Sequence, residues 1–145
     1  MLIFADMKRI SIVLFAALIV MSVACASQSK TFVVNTEKMG QEVMGYAGKT
    51  PVEIHVVDGR IEKIVALPNS ETPVYFQKVV ESPIFTVLVG KTVKEATEVQ
   101  LDAVSGATWS SKAVIENIRL GLKAAGRKVS TVHRVGTAGT SRITV

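Results

Sequence analysis

The 145-residue chain has room for one compact domain with its own hydrophobic core, and little for a second once a targeting segment is subtracted. Its formal charge of +5 is concentrated between Lys112 and Val145, which hold seven basic residues against Glu116 alone; a basic helix face and tail without interleaved aromatics point to solvent or anionic lipid and away from nucleic acid. Cys25 is the single cysteine, which excludes an internal disulfide and a cysteine-based metal or redox site, so any redox chemistry must come from a bound cofactor.

Met7-Lys-Arg, an apolar run from Ile10 to Val20 and the small residues Ser22 to Ala26 form the pattern of a secretory signal, with Met7 a better start than Met1. The apolar run is short for a membrane span. Ser22-Val-Ala-Cys25 resembles a bacterial lipoprotein signal, in which residues 1–24 are removed and Cys25 becomes the lipid-bearing first residue. Ser22 stands where leucine is usual, and ordinary cleavage after Ala26 is the alternative. Either route predicts a mature domain outside the cytoplasm, periplasmic or on the outer face of the membrane. The expected organisation is a tether and N-terminal element over 25–44, a domain over 45–128, and an edge strand or loose tail over 129–145.

Within the first of these, Ala26 to Lys30 is a polar tether, and Thr31 to Gly40 is a short strand or helix whose type the residues leave open. Val52, Ile54 and Val56 alternate with Glu53 and His55 up to Asp58-Gly59, and Arg60 to Leu67 follows: the pattern of a hairpin closed by a two-residue turn. Regular pairing sets Val56 beside Ile61 and Val52 beside Val65 on the core face, with His55 facing Glu62 on the wet face. Thr72 and Pro73 suit the start of a helix over Val74 to Glu81. Ser82-Pro83 repeats that signal for a shorter helical segment, Ile84 to Val89, ending at Gly90. Glu98 to Leu101 reads as a strand. Beyond Ser111, Ile115, Ile118, Leu122 and Ala125 recur on one helical face opposite Lys112, Glu116, Arg119 and Lys123, with Gly126 as the expected stop.

Between that strand and helix lies Asp102-Ala-Val-Ser-Gly-Ala-Thr108, followed by Ser110-Ser111. Ser105, Gly106 and Ala107 carry no bulky side chain, so the Thr108 hydroxyl is open to the active site of another protein. Read without context, the same stretch is an ordinary turn in which Ser110 or Ser111 caps the helix. His55 and His133 have no metal-ligand spacing, and no serine–histidine–acid set or carboxylate pair is evident, so neither a metal centre nor catalysis by the chain's own side chains is expected.

From about Gly45 to Ala125 the chain resembles the FMN-binding domain family found in the sodium-translocating NADH:quinone reductase and related ferredoxin-linked complexes. The resemblance is carried, in order, by Gly45-Tyr46, the Asp58-Gly59 hairpin, Ser70-Glu-Thr-Pro73 and the Asp102–Thr108 motif with Ser110-Ser111. It implies an α+β fold, a small antiparallel sheet with packed helices, and FMN esterified through its phosphate to Thr108 by a separate flavin transferase that uses FAD and magnesium. Asp102 would serve the turn or transferase recognition. Ser105, Gly106 and Ala107 would form the thin loop, Ser110 and Ser111 would cap the helix beside the phosphate, and Glu71 and Thr72 would lie near the ring system. Val74-Tyr75-Phe76 departs from the glycines usual in the family at that point. Trp109, Tyr46 and Tyr75 suit either stacking on a flavin or core packing. The implied function is electron transfer with membrane or envelope redox partners. The alternatives are a flavin-dependent reductase of a small soluble acceptor and a flavin-free envelope binding module.

Overall fold

The computed structural model describes residues 29–140, with side chains through Val132, so the predicted signal segment, Cys25 and residues 141–145 lie outside the described residues. Three strands, β1 (Thr31–Asn35), β2 (Val52–Val57) and β3 (Arg60–Ala66), form an antiparallel sheet in the order β1-β2-β3. Three helices follow: α1 (Pro73–Val80), α2 (Val93–Glu98) and the long α3 (Thr108–Thr140), with a 3-10 turn at Pro83–Phe85. This is the small α+β architecture expected from the sequence, and it settles Thr31 as the start of a strand.

Asp58 and Gly59 both take positive φ, 50° and 77°, the geometry of the two-residue turn whose twist matches a hairpin. The pairing beyond it departs from the regular register. Val56 faces Ile61 as expected, but His55 faces Lys63, and Val52 faces Ala66, because a bulge falls between His55 and Val56 and leaves Glu62 as the extra residue. His55 therefore meets no Glu62 across the strands. Its Nε2 lies 3.4 Å from Glu53 Oε2, two residues back on the same face.

The inward face of β2, Val52, Ile54 and Val56, is fully buried and packs with Val114, Ile118 and Leu122 of α3. Each such side chain contributes about 1.5–3 kcal/mol on leaving water. Gly121 lets α3 approach closely, since a β-carbon there would lie 2.6 Å from Ile54 Cδ1.

Two further expectations from the sequence are corrected. Glu98 to Leu101 is not a strand: Thr92 caps α2, accepting from the Glu95 N–H at 3.2 Å while the Glu95 carboxylate accepts from the Thr92 N–H at 2.9 Å. That reciprocal capping box starts a helix ending at Glu98, and the chain then runs extended without a strand partner while Val99 and Leu101 rest against the core. Gly126 does not stop α3. The apolar stripe continues from Leu122 and Ala125 to Val129, so packing outweighs the roughly 1 kcal/mol that an interior glycine costs, and residues 129–140 are helix rather than edge strand or loose tail. Among the described residues no helix is long and apolar enough to cross a membrane.

Candidate functional site

The Asp102–Thr108 motif forms the entry to α3. The Ala107 N–H donates to the Val104 carbonyl at 3.0 Å, closing a turn in which Gly106 sits at φ +79°, a conformation that side chains with a β-carbon resist. Ser111 fastens this turn to the helix: its Oγ accepts from the Val104 N–H at 2.9 Å and donates to the Thr108 carbonyl at 3.1 Å. Ser111 is thus buried and structural, and its hydroxyl spans the loop rather than opening to solvent.

Thr108 is the first residue of α3 and is exposed. The backbone N–H groups of Thr108, Trp109 and Ser110 have no acceptor among the described residues, and they lie at the positive end of a long helix dipole. An accessible hydroxyl therefore stands where an anion is stabilised.

A second turn is linked to this one through Glu71. Gly45 to Gly48 form a tight turn, with the Gly45 N–H donating to the Gly48 carbonyl at 2.7 Å. The buried Glu71 carboxylate holds it: Oε1 accepts from the Ala47 and Gly48 N–H groups at 2.9 and 3.1 Å, and Oε2 accepts a short hydrogen bond from Ser110 Oγ. With both oxygens used inside the protein, Glu71 is a tie between the Tyr46 turn and the first turn of α3. Ser110 is correspondingly buried, its hydroxyl committed to Glu71. Thr72 stands at the N-cap position of α1 with its carbonyl accepting from the Tyr75 and Phe76 N–H groups, and its hydroxyl makes no capping bond.

These ties enclose a cleft of about 470 Å³ lined by Tyr46, Tyr75, Gly106, Ala107, Thr108, Trp109 and Ser110. That volume lies in the range of small-molecule sites. Tyr46 and Trp109 are each 71% exposed and Tyr75 46%, which removes core packing as their purpose. Of the residues singled out in the sequence, the structure gathers Gly106, Ala107, Thr108 and Ser110 at the cleft and places Ser105 on the exposed shoulder of its turn. Asp102 is exposed, and its carboxylate makes no hydrogen bond among the described residues, so it does not brace the turn. Lys78, which no motif marked, reaches the same loop from α1 and lies over the Tyr75 ring at 5.8 Å. Its place three residues after Tyr75 on a helix was the available signal. A larger groove of about 760 Å³ between α2 and α3, lined by Val93, Lys94, Lys123 and Arg127 among others, contains no motif residue and no aromatic ring.

Comparison with curated proteins finds no match. A family model described as the FMN-binding domain matches residues 45–123, which takes in the Tyr46 turn, the hairpin, Glu71, the whole motif and the buried part of α3 as far as Lys123. The match covers more than half of the chain, and the protein with its aromatic cleft beside Thr108 belongs to the FMN-binding domain family.

Proposed function

We propose that this flavin-binding protein is an exported electron carrier holding FMN covalently on Thr108, with the group installed by a separate flavin transferase that uses FAD and magnesium. The observation that carries the reading is the Thr108 hydroxyl, exposed on a thin pinned turn at a helix N-terminus, at the mouth of an aromatic-lined cleft. In the transfer, the Thr108 Oγ–phosphorus bond forms and the diphosphate bond of FAD breaks. AMP leaves, and the threonine proton passes to a base of the transferase.

The residues present fit the group. The unpartnered N–H groups of Thr108, Trp109 and Ser110 suit a phosphodiester, and Tyr46, Tyr75 and Trp109 offer rings to a flat heteroaromatic system. Gly106 and Ala107 keep the approach to the hydroxyl clear. When bound, flavin supplies one- and two-electron chemistry, while the protein contributes binding, orientation and tuning. The lipoprotein-like segment ending at Cys25 supports export and a lipid anchor, which would hold the carrier among envelope redox partners; labelled lipid incorporated equally by the wild-type protein and C25S would remove that part of the reading.

The test is the intact mass of the exported protein. Wild type should carry the added mass of an FMN phosphodiester and T108A none, with T108S retaining part of the modification because it keeps a hydroxyl at the same place. An unmodified wild type made alongside a competent transferase refutes covalent attachment, and a modified T108A moves the site elsewhere.

A further inference from the structure

Lys78 occupies the last turn of α1, and its ammonium has two neighbours that its position on an exposed helix face does not require. Its Nζ stands 3.3 Å from the point where a β-carbon on Gly106 would begin, two residues before Thr108. Its charge lies over the ring of Tyr75 at 5.8 Å from the centroid. The ion pairs found among the described residues are His55–Glu53 and Arg119–Glu116, and Lys78 takes part in neither. A cation at the end of a helix does face the negative end of its dipole. That use is met with the side chain in solvent, and it gives no reason for the ammonium to be turned towards the motif loop.

We propose that Lys78 is a positioning residue for the flavin: its ammonium is the counter-charge of the phosphodiester on Thr108, and Tyr75 aims it by supporting the cation on its ring. This rests on the reading of Thr108 as the attachment residue. Lysine suits the task as a compact charge with three rotatable donors on a flexible stem, able to follow a phosphate that arrives after folding. The cation comes from α1 and the free N–H groups from α3, so two elements would share the single negative charge. Crowding at Gly106 by a larger residue would push this ammonium away, which gives the glycine a second use beside its φ.

The experiment compares wild type, K78Q and K78R, each prepared flavin-free and flavinylated. Flavinylation should raise the melting temperature of wild type by about 2–4 °C more than that of K78Q, the shift for a partly exposed ion pair in a domain of this size. The extra shift should shrink as salt is raised, and K78R should recover most of it. The ³¹P resonance of the phosphodiester should move in K78Q and return towards its wild-type position in K78R. If K78Q is not flavinylated while K78R is, the cation is needed at the transfer itself, which supports the same placement. Equal loss of melting temperature in both forms of K78Q with an unmoved ³¹P resonance means a helix-end role only, and overturns the proposal while leaving Thr108 in place. Failure of both folded variants to accept flavin also overturns it, since charge is then not what matters. A wild-type chain without flavin refutes the parent reading instead.

Discussion

Replacing Glu71 by alanine removes the carboxylate that ties the Tyr46 turn to the start of α3. The carboxylate is 6% exposed and accepts three hydrogen bonds, from the N–H groups of Ala47 and Gly48 and from Ser110 Oγ. Bonds to a charged acceptor contribute roughly 1.5–3 kcal/mol each, and the larger effect is the cost of leaving buried donors without partners. Not all three are lost in full. Ala47 is exposed, so its N–H can turn to water, and the Ser110 hydroxyl can turn to the carbonyl of Gly106 or Ala107 in the turn that precedes its helix. The Gly48 N–H has neither escape. E71A should therefore cost about 3–4 kcal/mol, a large share of the roughly 5–15 kcal/mol expected for a domain. E71Q keeps an acceptor for both backbone groups at about half the strength and makes Ser110 the acceptor of the third bond, so about 1–2 kcal/mol is expected. Urea unfolding followed by circular dichroism measures both, with an unchanged m-value showing that only stability moved. An E71A loss below about 0.5 kcal/mol would refute the reasoning, because it would mean that these bonds exchange for water at no cost.

Two further outcomes follow from close contacts elsewhere. In G121A the new β-carbon would meet Ile54 Cδ1 at 2.6 Å and Thr36 Cγ2 at 3.0 Å, so overpacking of about 1–3 kcal/mol should outweigh the roughly 1 kcal/mol gained in helix propensity; adding I54V, which removes that Cδ1, should recover part of the loss in chemical unfolding. Glu95 is held below the ordinary carboxylate range, chiefly by the Thr92 N–H and next by the Thr92 hydroxyl, with Arg60 and Lys91 adding to it. A depressed native value means that this contribution to the start of α2 is complete above the unfolded carboxylate value and is lost as pH falls through the native one; in T92V, which removes the hydroxyl and keeps the N–H, the Glu95 titration followed by carboxyl NMR should move part of the way up towards the ordinary range, and an unmoved midpoint would show that the hydroxyl is not among its causes.

Local rules made much of this fold legible. Asp58-Gly59 demanded its turn, the alternation through Val52, Ile54 and Val56 marked a buried face, and the spacing of Ile115, Ile118 and Leu122 marked the helix that covers it. The register was lost at Glu62, because period-two alternation has no means of counting an inserted residue. The strand expected at Glu98–Leu101 arose from Val99 and Leu101 alternating with polar neighbours, when Thr92 and Glu95 had already supplied the capping signal for a helix. Gly126 looked like a stop because a stop rule is local, whereas the contact of Val129 with the core is not. The motif brought Thr108 and its turn into view, yet the partners that give the turn its shape were out of reach. Ser110 bonds a residue 39 positions away and Asn117 one 67 positions away, and no periodicity links such pairs.

Those distant ties explain why the hydroxyl can be placed so narrowly. Apart from Ser111, which closes its own loop, the buried polar side chains fall into two groups along the first turns of α3: Glu71 with Ser110, and Thr50 with Asn117, next to which Thr36 pairs both ways with Val52. Farther along, α3 is held by apolar contacts through Ile118, Leu122, Ala125 and Val129, which are not directional. An apolar stripe alone tolerates a helix that slides or turns slightly against a sheet. A slip of one residue moves a helix about 1.5 Å and rotates it by about 100°, enough to carry Thr108 away from the cleft. Hydrogen bonds made by Ser110 and Asn117, seven residues and thus about two turns apart on nearly the same face, forbid that slip, because a shifted helix would leave buried polar groups without partners. The polar ties are therefore concentrated at the end of the helix that carries Thr108 beside the cleft, while the remainder of the domain is secured by hydrophobic burial.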